Sequence, residues 1–365
     1  MSAPGPQPPA RLLGPQTKGV TSVARVPDAW YVACMSSELR PGRVIGRDVL
    51  GLPLVLFRTK AGDVGALMDR CPHRNVPLSM GRVEQESLQC PYHGWRFSTD
   101  GACLEVPCLI GETDKKGRRA DAFAVRERDG FVWIYATPGA EPTSEPYAIP
   151  CADDPRYTTV RQAVEAEGSL HAVAENALDV PHTAFLHKGL FRGNSEPNKI
   201  EVCVRNWGDR VEAEYLGEPR PEGIAGRILA PGVDAKVEHF DRFILPCVAQ
   251  VEYRLGESHF LVTSCLTPLS DYRTRLFAAI SFRLPLPGFL VKLVLAPFAR
   301  WIFHQDQVIL ARQTENLRRF GGEQYVSTDV DALGQHIRQL LKRAERGQLE
   351  TSEEPQIKRF EMLVG

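Results

Sequence analysis

Cys71-Pro-His73-Arg-Asn75 and, further on, Cys90-Pro-Tyr-His93-Gly-Trp95-Arg-Phe97 decide the reading of this 365-residue chain. The first run places a histidine two positions after a cysteine and the second three positions after, with sixteen residues between His73 and Cys90. Two thiolates and two imidazoles suit the two irons of one [2Fe–2S] cluster. Thiolates on the inner iron and neutral imidazoles on the outer raise the reduction potential above that of an all-cysteine cluster. A structural zinc site uses the same donor set. Zinc sites usually group two cysteines and then two histidines, whereas each run here offers one of each.

Asn176-Ala-Leu-Asp179-Val-Pro-His182-Thr-Ala-Phe-Leu-His187 forms a second constellation, with two histidines five apart and an aspartate three before the first. On a helix or helix-turn such a pair can point inward together and leave one face of a metal open. Two histidines and one carboxylate make the facial triad of non-haem Fe(II) oxygenases, whose remaining positions take O2 and substrate. Alone, two histidines at this spacing are more often incidental. Downstream of the cluster-type runs they carry weight.

Together these runs resemble the catalytic α-subunits of the Rieske non-haem iron oxygenases, over about Trp30 to Gln313. The resemblance implies that Cys71, His73, Cys90 and His93 hold the cluster and that His182 and His187 hold a mononuclear Fe(II). It draws the carboxylate from Phe303-His-Gln-Asp306-Gln-Val-Ile-Leu-Ala-Arg-Gln313, similar to a late helix of the family in which glutamine follows the aspartate by seven residues. Seven residues are nearly two turns, so Asp306 and Gln313 share a helix face. His304, about 200° away, is the rival ligand. The family forms head-to-tail homotrimers in which an aspartate bridges a cluster histidine of one protomer and an iron histidine of the next. By position, Asp179 would link His93 of a neighbour to His182. An N-cap is the alternative role for Asp179. Asn176, one turn earlier, would line the iron pocket, a side-chain-to-backbone role being about as consistent.

The implied activity is an oxygenase using O2 and electrons from NAD(P)H. No Gly-x-Gly-x-x-Gly follows a strand, so the electrons would come through a partner reductase or ferredoxin. The compact spacing is similar to the vanillate O-demethylase and pheophorbide a oxygenase-like group. That favours hydroxylation or oxidative demethylation of an apolar, cyclic or aromatic small molecule. An aromatic ring dihydroxylase, a Rieske electron carrier without oxygenase activity and a zinc-bound interaction module are the alternatives.

Net charge of −1, with 43% hydrophobic and 24% charged residues, describes an ordinary globular protein and offers nucleic acid no basic surface. Met1-Ser-Ala-Pro-Gly-Pro-Gln-Pro-Pro lacks the apolar core of a secretory signal. The stretch Phe289–Phe303 is interrupted by Lys292, Pro297 and Arg300, too short a run to span a bilayer. A cytoplasmic location is expected. Nine cysteines suggest no disulfide framework. Cys34, Cys103, Cys108, Cys151, Cys203, Cys247 and Cys265 read as buried small hydrophobes.

The expected fold is α+β: a small all-β Rieske domain and a helix-grip domain of antiparallel sheet and long helices. Expected bounds are a disordered or surface-draped arm over 1–27, the cluster domain over 28–145 and the mononuclear-iron domain over 146–365. Pro53–Phe57 and Gly130–Tyr135 read as strands, and Asp100-Gly101 as a hairpin turn. Helix is expected over about Ala163–Leu186, Pro287–Leu317 and Gly334–Arg346. Strands are expected around Val202–Val204, Val211–Tyr215, Ala249–Tyr253, Phe260–Leu266 and Leu276–Phe282. His171 reads as a hydrogen-bonded core histidine. Tyr92 and Trp95 are expected to shield the cluster.

Overall fold

The computed structural model describes residues 25–187, 198–219, 237–284 and 288–364. Most of the arm expected over 1–27, and Pro287 at the start of the expected late helix, lie outside the described residues. The chain forms two compact units, Pro27–Ala148 with Thr267–Ser270, and Ile149–Leu266 with Asp271–Gly365.

The first unit is built of short strands: β1 (Trp30–Met35), β2 (Val44–Val49), β3 (Leu52–Arg58), β4 (Val64–Met68), β5 (Arg82–Glu84), β6 (Ser87–Gln89), β7 (Arg96–Phe97), β8 (Cys103–Glu105), β9 (Ala122–Phe123), β10 (Val125–Arg128) and β11 (Phe131–Tyr135). They form three sheets, ordered β1-β11-β10, β2-β3-β4-β9 and β5-β6-β7-β8. Phe131-Val-Trp-Ile-Tyr135 is buried at every position, which explains its unbroken apolar run. The β7–β8 hairpin turns at Asp100-Gly101, where Gly101 has φ of 82° and a Cβ would lie 2.1 Å from the Ala120 carbonyl oxygen. The small third sheet packs Val83, Leu88, Phe97 and Cys103 into one core with Cys71 and Cys90. The two cysteine runs are therefore rooted in that core.

The second unit contains β12 (Thr158–Ala166), α1 (Leu170–Ala177), α2 (His182–Leu186), β13 (Asn198–Asn206), β14 (Arg210–Leu216), β15 (Val237–Ile244), β16 (Val248–Leu255), β17 (Ser258–Ser270, of which Thr267–Ser270 count with the first unit), β18 (Arg273–Arg283), α3 (Gly288–Phe320), α4 (Gly334–Glu345) and β19 (Gln356–Val364). Its strands make one sheet in the order β12-β18-β17-β16-β15-β14-β13-β19. The expected helix from Ala163 is corrected: Ala163–Ala166 belong to β12, paired antiparallel from Thr158↔Phe282 to Ala166↔Thr274. Cross-strand pairing overrides the helix preference of an Ala- and Glu-containing run. Helix begins at Leu170, where Ser169 caps α1 by accepting from the Ala172 N–H at 3.2 Å.

The long helix α3 lies on β12 and is fixed by polar ties as well as by packing. Val291, Leu295 and Ala299 bury against Val160, Ile280 and Phe282. Three side-chain-to-backbone bonds set its rotation: Gln162 Nε2 to the Ala296 carbonyl at 3.3 Å, Gln307 Nε2 to the Glu165 carbonyl at 2.6 Å, and Thr314 Oγ1 to the Glu167 carbonyl at 3.0 Å. The opposite side exposes Phe289, Leu293 and Trp301. The late apolar segment is thus part core and part surface. Among the described residues no helix is long and apolar enough to cross a membrane. Two cysteines depart from expectation, Cys108 being exposed and Cys151 half-buried. Both sit in turns at positive φ, 66° and 62°.

Candidate metal centres

The two cysteine runs fold into matching loops. Cys71 N–H donates to the Val76 carbonyl at 2.9 Å, and Cys90 N–H to the Trp95 carbonyl at 2.8 Å. Each loop is closed again in the other direction, Asn75 N–H reaching the Cys71 carbonyl at 2.9 Å and Gly94 N–H the Cys90 carbonyl at 3.2 Å. Asn75 and Gly94 occupy equivalent left-handed positions, φ 60° and 73°. Asparagine and glycine are the residues that tolerate this conformation best.

At the loop tips the donors sort by type. Cys71 and Cys90 are each 2% exposed, whereas His73 is half-buried and His93 exposed. The two imidazole rings lie 4.5 Å apart between centroids. Trp95 stacks on His73 at 4.8 Å with 5° between planes, and Tyr92 lies 3.9 Å from the His93 ring. Tyr92 is itself 63% exposed, so Trp95 is the principal shield. His73 Nδ1 is buried and has no hydrogen-bond partner, which suits a nitrogen that serves a metal. Burial pushes the Cys71 thiol up to about 11, the His73 backbone N–H opposing and the Cys90 thiol adding to the rise. Deep thiols and shallow imidazoles fit a [2Fe–2S] cluster whose histidine-held iron faces outward. Such a cluster would displace the thiol protons on binding.

The second centre is assembled from α2 and α3. His182 Nε2 and His187 Nε2 lie 3.3 Å apart. Asp306 Oδ1 is 3.7 Å from the first and 3.2 Å from the second. Ligand atoms at right angles around a first-row divalent metal, each ~2.1 Å from it, stand ~3 Å from one another. The three atoms therefore fit one face of a coordination shell, and among the described residues this is the one such group. Burial alone would lower the His187 imidazole, but Asp306 and Gln305 outweigh it and hold the ring above its ordinary value. That surplus of negative potential suits a cation. His304 is exposed on the other side of α3, and Gln313 is exposed as well despite sharing a helical face with Asp306.

Further contacts orient the triad. Asn176 Nδ2 donates to Asp306 Oδ1 at 3.4 Å. Asp179 Oδ2 accepts from the His182 backbone N–H at 3.0 Å and lies 3.2 Å from His182 Nδ1. The latter contact is off the hydrogen-bonding direction, since Nδ1 is buried without a partner. Asp179 thus combines capping of the turn with proximity to the ring. His187 Nδ1 meets Gln305 Oε1 at 2.8 Å, a contact absent from the sequence reading. The only sequence signal for Gln305 was its place beside Asp306, since neighbours on a helix are about 100° apart and can flank one ligand. His171 is a buried core histidine, its Nε2 2.8 Å from the Gly334 carbonyl oxygen.

His239 had no pattern in the sequence and turns out fully buried. Its Nδ1 lies 2.6 Å from Glu218 Oε2 and its Nε2 3.1 Å from Asp241 Oδ1. The ring stacks between Tyr215 at 4.6 Å and Tyr253 at 3.9 Å, its partners across β14 and β16. Burial lowers the imidazole, yet Asp241 and Glu218 carry it to about 10.

Comparison with known proteins follows the same division. The Rieske [2Fe–2S] domain model matches residues 29–112, and the vanillate O-demethylase oxygenase C-terminal domain model matches 167–347. Dicamba O-demethylase, oxygenase component, from Stenotrophomonas maltophilia is 38% identical over 194 residues, 52% of this chain and 52% of that protein. The match thus spans about half the length of that relative. The vanillate O-demethylase oxygenase subunit of a Pseudomonas species is 26% identical over 341 residues, 87% of this chain and 94% of that protein. A crystal structure of dicamba monooxygenase bound to 3,6-dichlorosalicylic acid superposes with a TM-score of 0.75 at 24% identity, covering 89% of this chain and 98% of that one. It shares the fold.

Proposed function

We propose that this chain, which belongs to the Rieske non-haem iron oxygenases as a catalytic α-subunit, hydroxylates or oxidatively demethylates an apolar cyclic or aromatic small molecule. One observation carries the reading: two imidazole nitrogens and one carboxylate oxygen converge within 4.8 Å of one another, in a chain that also holds a Rieske domain. Cys71, Cys90, His73 and His93 would hold the cluster, and His182, His187 and Asp306 the Fe(II). When bound, the metals supply electron storage and O2 activation, one oxygen atom entering the substrate and the other leaving as water with two electrons and two protons.

The protein's own residues prepare that chemistry. Asp306 brings the anionic ligand, and Asn176 restrains its oxygen by donating to it. Asp179 holds the His182 turn through the backbone N–H, leaving its carboxylate beside the ring. Trp95 keeps water from the His73 side of the cluster. Hydroxylation of a methyl group on oxygen gives a hemiacetal, which collapses to the alcohol and formaldehyde without further help from the protein.

Electrons would arrive from NAD(P)H through a separate reductase or ferredoxin. The assembly we favour is a head-to-tail homotrimer in which Asp179 joins His182 to His93 of a neighbour. The exposure of His93 and the 26% exposure of the Asp179 side chain support it. We place the enzyme in the cytoplasm, where the nicotinamide donor is regenerated. The test is product analysis with ¹⁸O-labelled O2, using the holoenzyme and a Rieske-compatible reductase on methoxylated and alkylated aromatics. One labelled atom per product, or formaldehyde in step with O2 consumption, is expected. Two labelled atoms would make it a ring dihydroxylase, and reduction of the cluster without O2 consumption would make it an electron carrier.

A further inference from the structure

We propose that Gln305 is a positioning residue for the mononuclear metal: its neutral amide fixes which nitrogen of His187 faces the iron, and does so without adding charge. This rests on the reading of His182, His187 and Asp306 as iron ligands. His187 presents Nε2 to the other two donor atoms, so its proton must reside on Nδ1. Nδ1–H then donates, and the group 2.8 Å away accepts through Oε1, which sets the orientation of the amide. At 2% exposure the His187 side chain leaves solvent little access to compete. The rotation of α3 that delivers Gln305 is held by Gln307 on the Glu165 carbonyl, so the acceptor is part of a fixed scaffold.

The two iron imidazoles are thereby supported in unlike ways. His182 has the carboxylate of Asp179 beside Nδ1 at 3.2 Å, whereas His187 has an amide. With ferrous iron bound, the carboxylates of Asp306 and Asp179, the one 3.2 Å from His187 Nε2 and the other 3.2 Å from His182 Nδ1, would match its two positive charges. A carboxylate at 305 would make the imidazole more basic and the centre net negative. That favours the ferric state and opposes electron transfer from the cluster. Gln305 orients the ligand while leaving the iron reducible.

The experiment uses full-length holoenzyme with Gln305→Leu and Gln305→Glu, and His187→Ala as reference. Retention of mononuclear Fe(II) against a chelator and the ferric–ferrous midpoint potential, followed by EPR, are measured alongside thermal unfolding. Gln305→Leu is expected to weaken Fe(II) binding about 10- to 100-fold with the cluster spectrum unchanged. Gln305→Glu is expected to hold iron at least as well as the parent and to lower the midpoint. Parent-like iron retention in a folded Gln305→Leu protein, or an unmoved midpoint in Gln305→Glu, overturns the proposal. Should Gln305→Leu fail to fold, the midpoint of Gln305→Glu decides alone. If His187→Ala keeps its mononuclear iron, the ligand assignment itself falls and takes the proposal with it, a result distinct from failure at position 305.

Discussion

Asn176 Nδ2 lies 3.4 Å from Asp306 Oδ1, joining α1 to α3 across 130 positions of sequence. The amide restrains the carboxylate proposed as the anionic ligand of the triad, and the oxygen it reaches is the one facing both histidines. Asn176→Ala is expected to lower turnover about 10-fold while the cluster content stays at the parent level. Steady-state kinetics with iron analysis on the same preparations measure this, and parent-like turnover would remove Asn176 from the site.

Asp179→Asn separates the two duties of that residue. An asparagine oxygen still accepts from the His182 backbone N–H, so the turn is retained, but the negative charge beside Nδ1 is lost. Both metal centres should remain loaded, while oxidation of the reduced cluster under O2 and substrate slows by on the order of 100-fold. Stopped-flow bleaching of the cluster band follows the step directly. Unaltered rates would confine Asp179 to capping.

Cys71→Ser replaces one of the two deep thiols. The variant should be purified without the visible colour of an iron–sulfur protein, yet still retain iron at the His182–His187–Asp306 site. Loss of both metals together would show that the second centre depends on the first for its integrity.

His239 makes a prediction about pH. Its folded value of about 10 stands above its ordinary 6.5, because Asp241 and Glu218 favour the charged ring more than burial opposes it. A base raised in the folded state contributes stability that is complete below its unfolded value and disappears as pH climbs through its folded one. Stability should therefore decline between about pH 6.5 and 10. His239→Phe keeps a flat ring between Tyr215 and Tyr253 but removes the imidazolium that faces Glu218 and Asp241, a loss of about 3–5 kcal/mol at neutral pH. It should also flatten the alkaline decline. Urea unfolding at several pH values tests both, and parallel curves for parent and variant would discard the explanation.

Much of this architecture could be read from residues whose chemistry is local. The cysteine–histidine runs announce themselves because their spacing is short, and β11 because all five of its residues are buried. β15 was missed for a physical reason: His239 and Asp241 occupy its buried face alongside Val237 and Phe243, which breaks the apolar alternation. β19 escaped because it is an edge strand, largely exposed and highly charged. The segment at Ala163 misled because its composition favours helix while its partner, β18, makes it a strand. Beyond its place beside Asp306, nothing in the sequence marks Gln305, because its contact with His187 depends on which way α3 is turned.

The ties that set this turn have a lasting consequence. Glu165, Glu167 and Ala296 receive Gln307, Thr314 and Gln162 through main-chain oxygens, which every amino acid possesses. Mutational drift at those three sites cannot delete the anchor points, so the scaffold tolerates divergence there while the aspartate stays aimed. Side chains around the site can therefore change while the mutual placement of His182, His187 and Asp306 is kept.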